Sequence, residues 1–139
     1  MSRARQILAL HLPTAIWAAW MAYLLISPDE RLPASYPDFP SNAWVSWSNV
    51  FEWASHLILS FVLSVLLWRS LAAIESLESR MMATVATVGI YGAILEGTQA
   101  LVPGRSPGLS DIAANLIGVG LWVVSARTRA RMSTPDPQG

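Results

Sequence analysis

Residues 51–71 read FEWASHLILSFVLSVLLWRSL, a run of 21 residues that is apolar except at a few scattered positions. The ionisable residues within it are Glu52, His56 and Arg69. A helix needs roughly 20 mostly apolar residues to cross the hydrocarbon core of a bilayer. The run therefore predicts a transmembrane helix.

Three further apolar runs along the chain have a similar character. Together with the first they predict an all-α, four-transmembrane-helix bundle within residues 1–127. Residues 28–50 contain four prolines and predict a loop, whereas residues 128–139 are basic, then Pro-rich, and predict a disordered cytoplasmic tail. The predicted helices span residues 7–26, 51–71, 81–102 and 111–126.

The first run has an alternative interpretation as a cleaved signal peptide, with Arg3 and Arg5 as its charged region. Its apolar part is longer than the roughly 7–15 residues usual for such a peptide, and no small-x-small cleavage site follows it. These two features favour a retained helix.

The composition of the chain supports a membrane protein. Hydrophobic residues make up 53% of it and charged residues 13%, against about 25% charged residues in a typical soluble domain. The formal net charge is zero, so a nucleic-acid partner is not expected. Cysteine is absent, which excludes disulfides, thiolate metal sites and cysteine nucleophiles.

The distribution of arginine predicts the orientation in the membrane. If the N-terminus lies inside, seven arginines fall on the inner side, and only Arg31 and Arg105 fall on the outer side. Positive residues concentrate on the cytoplasmic side of membrane proteins. Both termini are therefore predicted to be cytoplasmic, in a multi-pass membrane protein.

With this orientation, a set of polar residues that are separated in sequence shares one depth, near the outer face. Pairs at i, i+4, such as Glu52 with His56 and Asp111 with Asn115, lie on one face of a helix. Lipid does not solvate such faces, so we expect them to point at one another or at a water-filled pocket. The candidate ligand-binding residues are Glu52, His56, Glu96, Gln99, Arg105, Asp111 and Asn115.

The sequence leaves two interpretations of these residues open. They form a binding site for a head group or another polar ligand, or they only hold the helices together through interhelical hydrogen bonds. In either case Arg105 is the expected partner of Glu96, because its guanidinium binds carboxylates in a bidentate way. The spacing of Glu52, His56 and Glu96 matches no metal motif beyond i, i+4, so neither a metal nor a cofactor is expected.

Other residues predict packing rather than chemistry. Four helical glycines are expected to allow close contact between helices. The segment holding Glu75, Glu78 and Arg80 predicts a solvated turn, and Trp68 and Trp122 are expected near the inner interface. The glycines are Gly89, Gly92, Gly118 and Gly120.

One stretch resembles the VanZ-like family of small bacterial membrane proteins. The family pattern has Tyr-Gly and Glu-x-x-Gln on one helix, a Pro-Gly-Arg turn, and Asp-x-x-x-Asn-x-x-Gly on the next. An earlier family element fits Glu52 and His56, with Trp53 where lysine is common. The resemblance covers roughly residues 51–122. The matching residues are Tyr91, Gly92, Glu96, Gln99, Pro103, Gly104, Arg105, Asp111, Asn115 and Gly118.

The resemblance implies an envelope-related, multi-pass protein of the bacterial inner (plasma) membrane, and it implies no reaction. The namesake of the family is associated with low-level resistance to the glycopeptide teicoplanin. We expect membrane lipids as neighbours and a lipid head group, lipid-linked precursor or glycopeptide as the ligand. Two alternatives remain: an enzyme acting on a head group, with His56 as general base and Glu52 orienting it, and a structural or assembly subunit.

Overall fold

The computed structural model describes residues 3–26, 47–102 and 108–132. They form four α-helices and, in this part of the chain, no strand. Each helix is long and apolar enough to cross a membrane, which confirms the predicted fold class of four membrane-spanning helices. The helices are α1 (Arg3–Ile26), α2 (Trp47–Ser70), α3 (Leu77–Gln99) and α4 (Leu109–Met132).

The helices differ in extent from the predicted apolar runs. The last helix continues to Met132, so residues 128–132, predicted as disordered, are helical. Its end is rich in arginine and alanine, which favour helix strongly, so hydropathy marks the lipid-embedded segment and underestimates the helix. Residues 133–139 of the predicted tail lie outside the described residues.

The other boundaries shift for local reasons. The second helix begins at Trp47, within the segment predicted as a loop. Residues 28–46 of that loop lie outside the described residues. The third begins at Leu77, where Ser76 is the N-cap and its side chain accepts a hydrogen bond from the Ser79 backbone N–H. It ends at Gln99, before a short turn.

The second helix is central to the bundle, because it packs against each of the other three. The fourth helix packs on α2 and α3, while α1 packs on α2 and α3 and, among the described residues, does not contact α4. A buried apolar cluster lies between the helices. Its members are Met21, Leu25, Leu59, Leu63, Val88, Leu95 and Val119.

Small residues set the closest approach between helices. A Cβ atom on Gly118 would overlap the Ser60 hydroxyl and the Leu57 backbone, and one on Gly92 would lie 3.2 Å from Asn115 Nδ2. These two glycines confirm the predicted packing role. The same prediction is wrong for the other two, because a Cβ on Gly89 or Gly120 would meet nothing within 4 Å.

The outside of the bundle is apolar along much of its length. Large hydrophobic side chains are exposed on every helix, in the pattern expected where lipid replaces water as the surrounding medium. Together with the four spans, this surface makes the chain a multi-pass membrane protein. Examples are Ile16, Trp20, Ile58, Ile90, Ile94 and Leu116.

The segment that connects α2 to α3 was predicted to be a solvated turn, and this prediction is wrong for Arg80. Glu75 and Glu78 are exposed, as expected, but Arg80 is half-buried. The Arg80 Nε donates to the Trp68 carbonyl at 2.8 Å, and the guanidinium carbon lies 3.9 Å from the centroid of the Trp68 ring. Trp122 packs on Trp68 with 5.5 Å between centroids and is buried, so it belongs to the core, while the depth of the two rings in the membrane stays a prediction.

Candidate functional site

The candidate site lies where α1 and α3 end and α2 and α4 begin. Consecutive helices run in opposite directions, so these four ends meet at one face of the bundle. Five of the residues singled out from the sequence contact or approach one another there. We call them the polar cluster: Glu52, His56, Glu96, Asp111 and Asn115.

His56 is the centre of the polar cluster and is fully buried. Its Nδ1 atom lies 3.4 Å from Glu96 Oε1 on α3 and 3.3 Å from Asn115 Nδ2 on α4. Both partners are buried as well. The contact therefore joins three helices through one imidazole ring.

The two contacts of the His56 Nδ1 atom require different tautomers. A protonated Nδ1 donates to the Glu96 carboxylate, whereas an unprotonated Nδ1 accepts from the Asn115 amide. One ring nitrogen does not do both at once, so the position of a single proton selects which helix pairs with the ring. Such a group is suited to proton transfer or to ligand binding that depends on the tautomer.

A second set of contacts links α2 to the first turn of α4. Candidate ligand atoms of Glu52, His56 and Asp111 all lie within 4.8 Å of one another. Asp111 is buried and Glu52 is half-buried. The i, i+4 spacing places Glu52 beside His56, and the packing of α4 on α2 adds the carboxylate of Asp111.

Of the predicted site residues, Gln99 makes its hydrogen bond outside the polar cluster. The Gln99 side chain donates from Nε2 to the Leu25 carbonyl of α1 at 2.6 Å, and so joins two helices. Arg105, and therefore its expected pairing with Glu96, lies outside the described residues.

Sequence reasoning missed Ser60 as a partner of the polar cluster. This fully buried hydroxyl lies 3.1 Å from the Asn115 carbonyl and 3.1 Å from the Leu57 carbonyl, and it faces Gly118. The spacing could have indicated this role, because His56, Ser60 and Ser64 are four residues apart in turn and so lie on one face of α2. Serine is common in membrane helices and was not distinguished from a packing residue.

The arrangement has the parts of an acid–base or cation-binding site. An imidazole is held by a carboxylate, with two more carboxylates nearby. The predicted enzyme had Glu52 orienting His56. The structure places Glu96 Oε1 3.4 Å from Nδ1 and a Glu52 carboxylate oxygen within 4.8 Å of a ring nitrogen, so both carboxylates lie beside the ring that they would orient.

Comparison with known proteins finds no matching family model, no matching curated protein and no matching solved structure. The resemblance to the VanZ-like family therefore stays a prediction, based on the motif residues between Glu52 and Gly118.

Proposed function

We propose that this protein is a VanZ-like protein of the bacterial inner membrane whose polar cluster binds the polar part of an envelope molecule. The ligand would be a lipid head group, a lipid-linked precursor or a glycopeptide. Glu52, Glu96 and Asp111 would bind its hydroxyl or amine groups, His56, Gln99 and Asn115 would orient them, and Arg105 would contact a phosphate or carboxylate.

The observation that carries the proposal is the burial of ionisable groups inside an apolar bundle. His56, Glu96 and Asp111 come from three helices, are each at most 6% exposed, and gather at one end. Ionisable groups in a membrane domain are expensive to hold and usually serve function. Packing alone is achieved elsewhere in the bundle by uncharged hydroxyl groups, such as those of Ser70 and Tyr91, which donate to backbone carbonyls of α1.

The arginine distribution supports an outer-leaflet position for the cluster. Arg69 and Arg80 lie at the end of the bundle away from it, as do Arg127, Arg129 and Arg131 of α4. The positive-inside rule assigns that end to the cytoplasm, which places the cluster toward the periplasmic side. Envelope precursors and glycopeptides are met on that side.

A structural or assembly subunit is the second candidate, and a specific observation favours it. Gln99, whose side chain was expected to bind ligand, donates instead to the Leu25 backbone carbonyl. If the whole polar cluster only joined helices by hydrogen bonds, substitutions in it would lower the stability and abundance of the protein. Activity would then fall only in proportion to the amount of folded protein.

The test is complementation of a strain that lacks the gene. The strain is profiled for sensitivity to glycopeptides, other wall inhibitors, detergent and bile salts, then restored with wild type, His56→Ala or Glu96→Ala. Matched controls are Ser55→Ala and Thr98→Ala, whose side chains are at the same depth but bond to carbonyls of their own helices. Membrane abundance is equalised by immunoblot.

We expect His56→Ala and Glu96→Ala to fail at normal abundance, while both control variants complement. Full complementation by His56→Ala and Glu96→Ala would mean that the polar cluster only packs the helices together, and it would contradict the proposal. Failure that tracks loss of abundance would favour the structural subunit.

A further inference from the structure

The polar cluster contains a set of side chains with the composition of a metal site. The set joins one imidazole and two carboxylates, from His56 and Glu52 on α2 and from Asp111 on α4. Their candidate ligand atoms all lie within 4.8 Å of one another. The sequence did not favour a metal, because Glu52, His56 and Glu96 match no metal motif beyond i, i+4. Asp111 reaches Glu52 and His56 only through the packing of α4 on α2.

The distances are close to those of a loaded site. With bonds of roughly 2.1 Å, ligand atoms of a tetrahedral cation lie about 3.4 Å apart. Closing from 4.8 Å therefore needs shifts of about 1 Å, within the reach of a carboxylate side chain that rotates. The backbones of α2 and α4 need not move, because the Ser60 hydroxyl already bonds to the Asn115 carbonyl and Gly118 already contacts Leu57.

The surroundings of His56 resemble those of a metal-bound histidine. Such a histidine commonly donates its second ring N–H to a carboxylate, which sets the tautomer. Glu96 Oε1 lies 3.4 Å from His56 Nδ1, so a proton on Nδ1 pointing at Glu96 leaves Nε2 as the metal-binding atom.

A second observation independently indicates a missing hydrogen-bond donor beside the cluster. Asn115 is 4% exposed, and among the described residues its Oδ1 atom has no hydrogen-bond partner. In the tautomer that carries its proton on Nδ1, the ring does not accept from Asn115 Nδ2, 3.3 Å away, so the amide is free to turn its oxygen toward another donor. A buried carbonyl oxygen in this position is suited to accept from a metal-bound water.

We propose that Glu52, His56 and Asp111 bind a divalent first-row transition-metal cation such as Zn²⁺. Two carboxylates balance the double charge of the cation, which lowers the cost of holding both in a membrane domain. The imidazole nitrogen favours such a cation over Mg²⁺ or Ca²⁺, which prefer oxygen ligands. Three protein ligands leave a coordination position for water or a ligand oxygen. The metal site shares its three residues with the proposed ligand site, but its test is separate, because cation binding is measured without lipid or any envelope ligand.

The test uses the full chain purified in detergent, stripped with a chelator, and titrated with Co²⁺ while its visible absorption is followed. Zn²⁺ then competes for the same site. Variants are Asp111→Asn, Glu52→Gln and the positioning variant Glu96→Gln, and the control is Glu78→Gln, an exposed carboxylate on α3. Circular dichroism and gel filtration confirm that each variant is folded, and half-buried Glu52 serves as the ligand least needed for folding.

We expect about one Co²⁺ per wild-type chain, displaced by Zn²⁺, and affinities lowered at least about 10-fold by Asp111→Asn and Glu52→Gln. Glu96→Gln should weaken binding by about 10- to 100-fold while the absorption bands persist, as for a residue that acts through the histidine. The control should bind like wild type. The proposal is overturned if the folded wild type shows no saturable Co²⁺ binding. It is also overturned if Glu52→Gln and Asp111→Asn bind Co²⁺ as tightly as wild type.

Discussion

At the scale of single residues, Gly118 shows how one missing side chain positions the polar cluster. A Cβ atom there would overlap Ser60 and the backbone of Leu57, so glycine permits α4 to reach α2. The contact holds Asn115, one turn earlier on α4, where its amide meets His56. The chemistry of the cluster therefore depends on a residue without a side chain.

Gly118→Ala should destabilise the bundle, because the overlap is with backbone and a buried hydroxyl and not with a flexible side-chain end. Overpacking of this kind costs about 1–3 kcal/mol. The measurement is the thermal midpoint in detergent, with Gly120→Ala as the control. Gly120 lies on the same helix, and a Cβ on it meets nothing within 4 Å. Equal midpoints for the two variants would contradict the close contact.

Spacing predicted which polar residues share a helix face, but not which partner each one meets. Glu52 and His56, four residues apart, lie together as expected. Gln99 was placed in the same site by depth, yet its amide reaches α1. Depth depends only on position along a helix, whereas partner choice depends on the rotation of that helix against its neighbours.

At the scale of helices, α1 is held by polar contacts as well as by the apolar side chains that it buries. Trp17 Nε1 donates to the Leu59 carbonyl at 3.1 Å, and the Tyr91 hydroxyl donates to the Ala18 carbonyl at 2.6 Å. Gln99 adds the bond to Leu25, and Ser70 donates to the Leu10 carbonyl at 2.9 Å. Lipid competes poorly for such groups, so each bond favours docking of the helix.

Removal of two α3 contacts should loosen α1 without unfolding the rest. Tyr91→Phe with Gln99→Leu removes two donors, and interhelical hydrogen bonds in membranes are worth about 0.6–2 kcal/mol each. We expect faster proteolysis within α1 and a lower thermal midpoint. Thr98→Val is the control, since its hydroxyl bonds to the Ile94 carbonyl of its own helix. Unchanged proteolysis in the double variant would mean that apolar packing alone docks α1.

At the scale of the whole molecule, the direction of insertion decides which leaflet the polar cluster faces. The arginine bias predicts that the α2–α3 connection is cytoplasmic and that the residues following α3 are periplasmic. The chain has no cysteine, so single introduced cysteines can be labelled without background.

Leu101→Cys should react with a membrane-impermeant maleimide in intact cells, whereas Glu75→Cys should react only after permeabilisation. Both side chains are exposed, and Leu101 is 83% exposed. Detergent-solubilised protein provides the reactivity control for each variant. The reverse labelling pattern would place the cluster on the cytoplasmic side and remove envelope precursors from the candidate ligands.

The sequence by itself determined the number of helices and their approximate spans, because the transfer of a 20-residue apolar segment into lipid depends on composition alone. It also determined which polar residues share a depth, since four alternating spans bring the start of α2 and α4 to the end of α3. It underestimated α4, where arginine continues the helix beyond the apolar run.

Only the tertiary structure decided the partners. The pairing of His56 with Glu96, the approach of Asp111, and the packing of Arg80 on Trp68 all follow from the rotation and close contact of the helices. Those rotations come from small residues and many weak contacts distributed over all four helices. No local pattern encodes them, because each contact joins residues that are far apart in the chain.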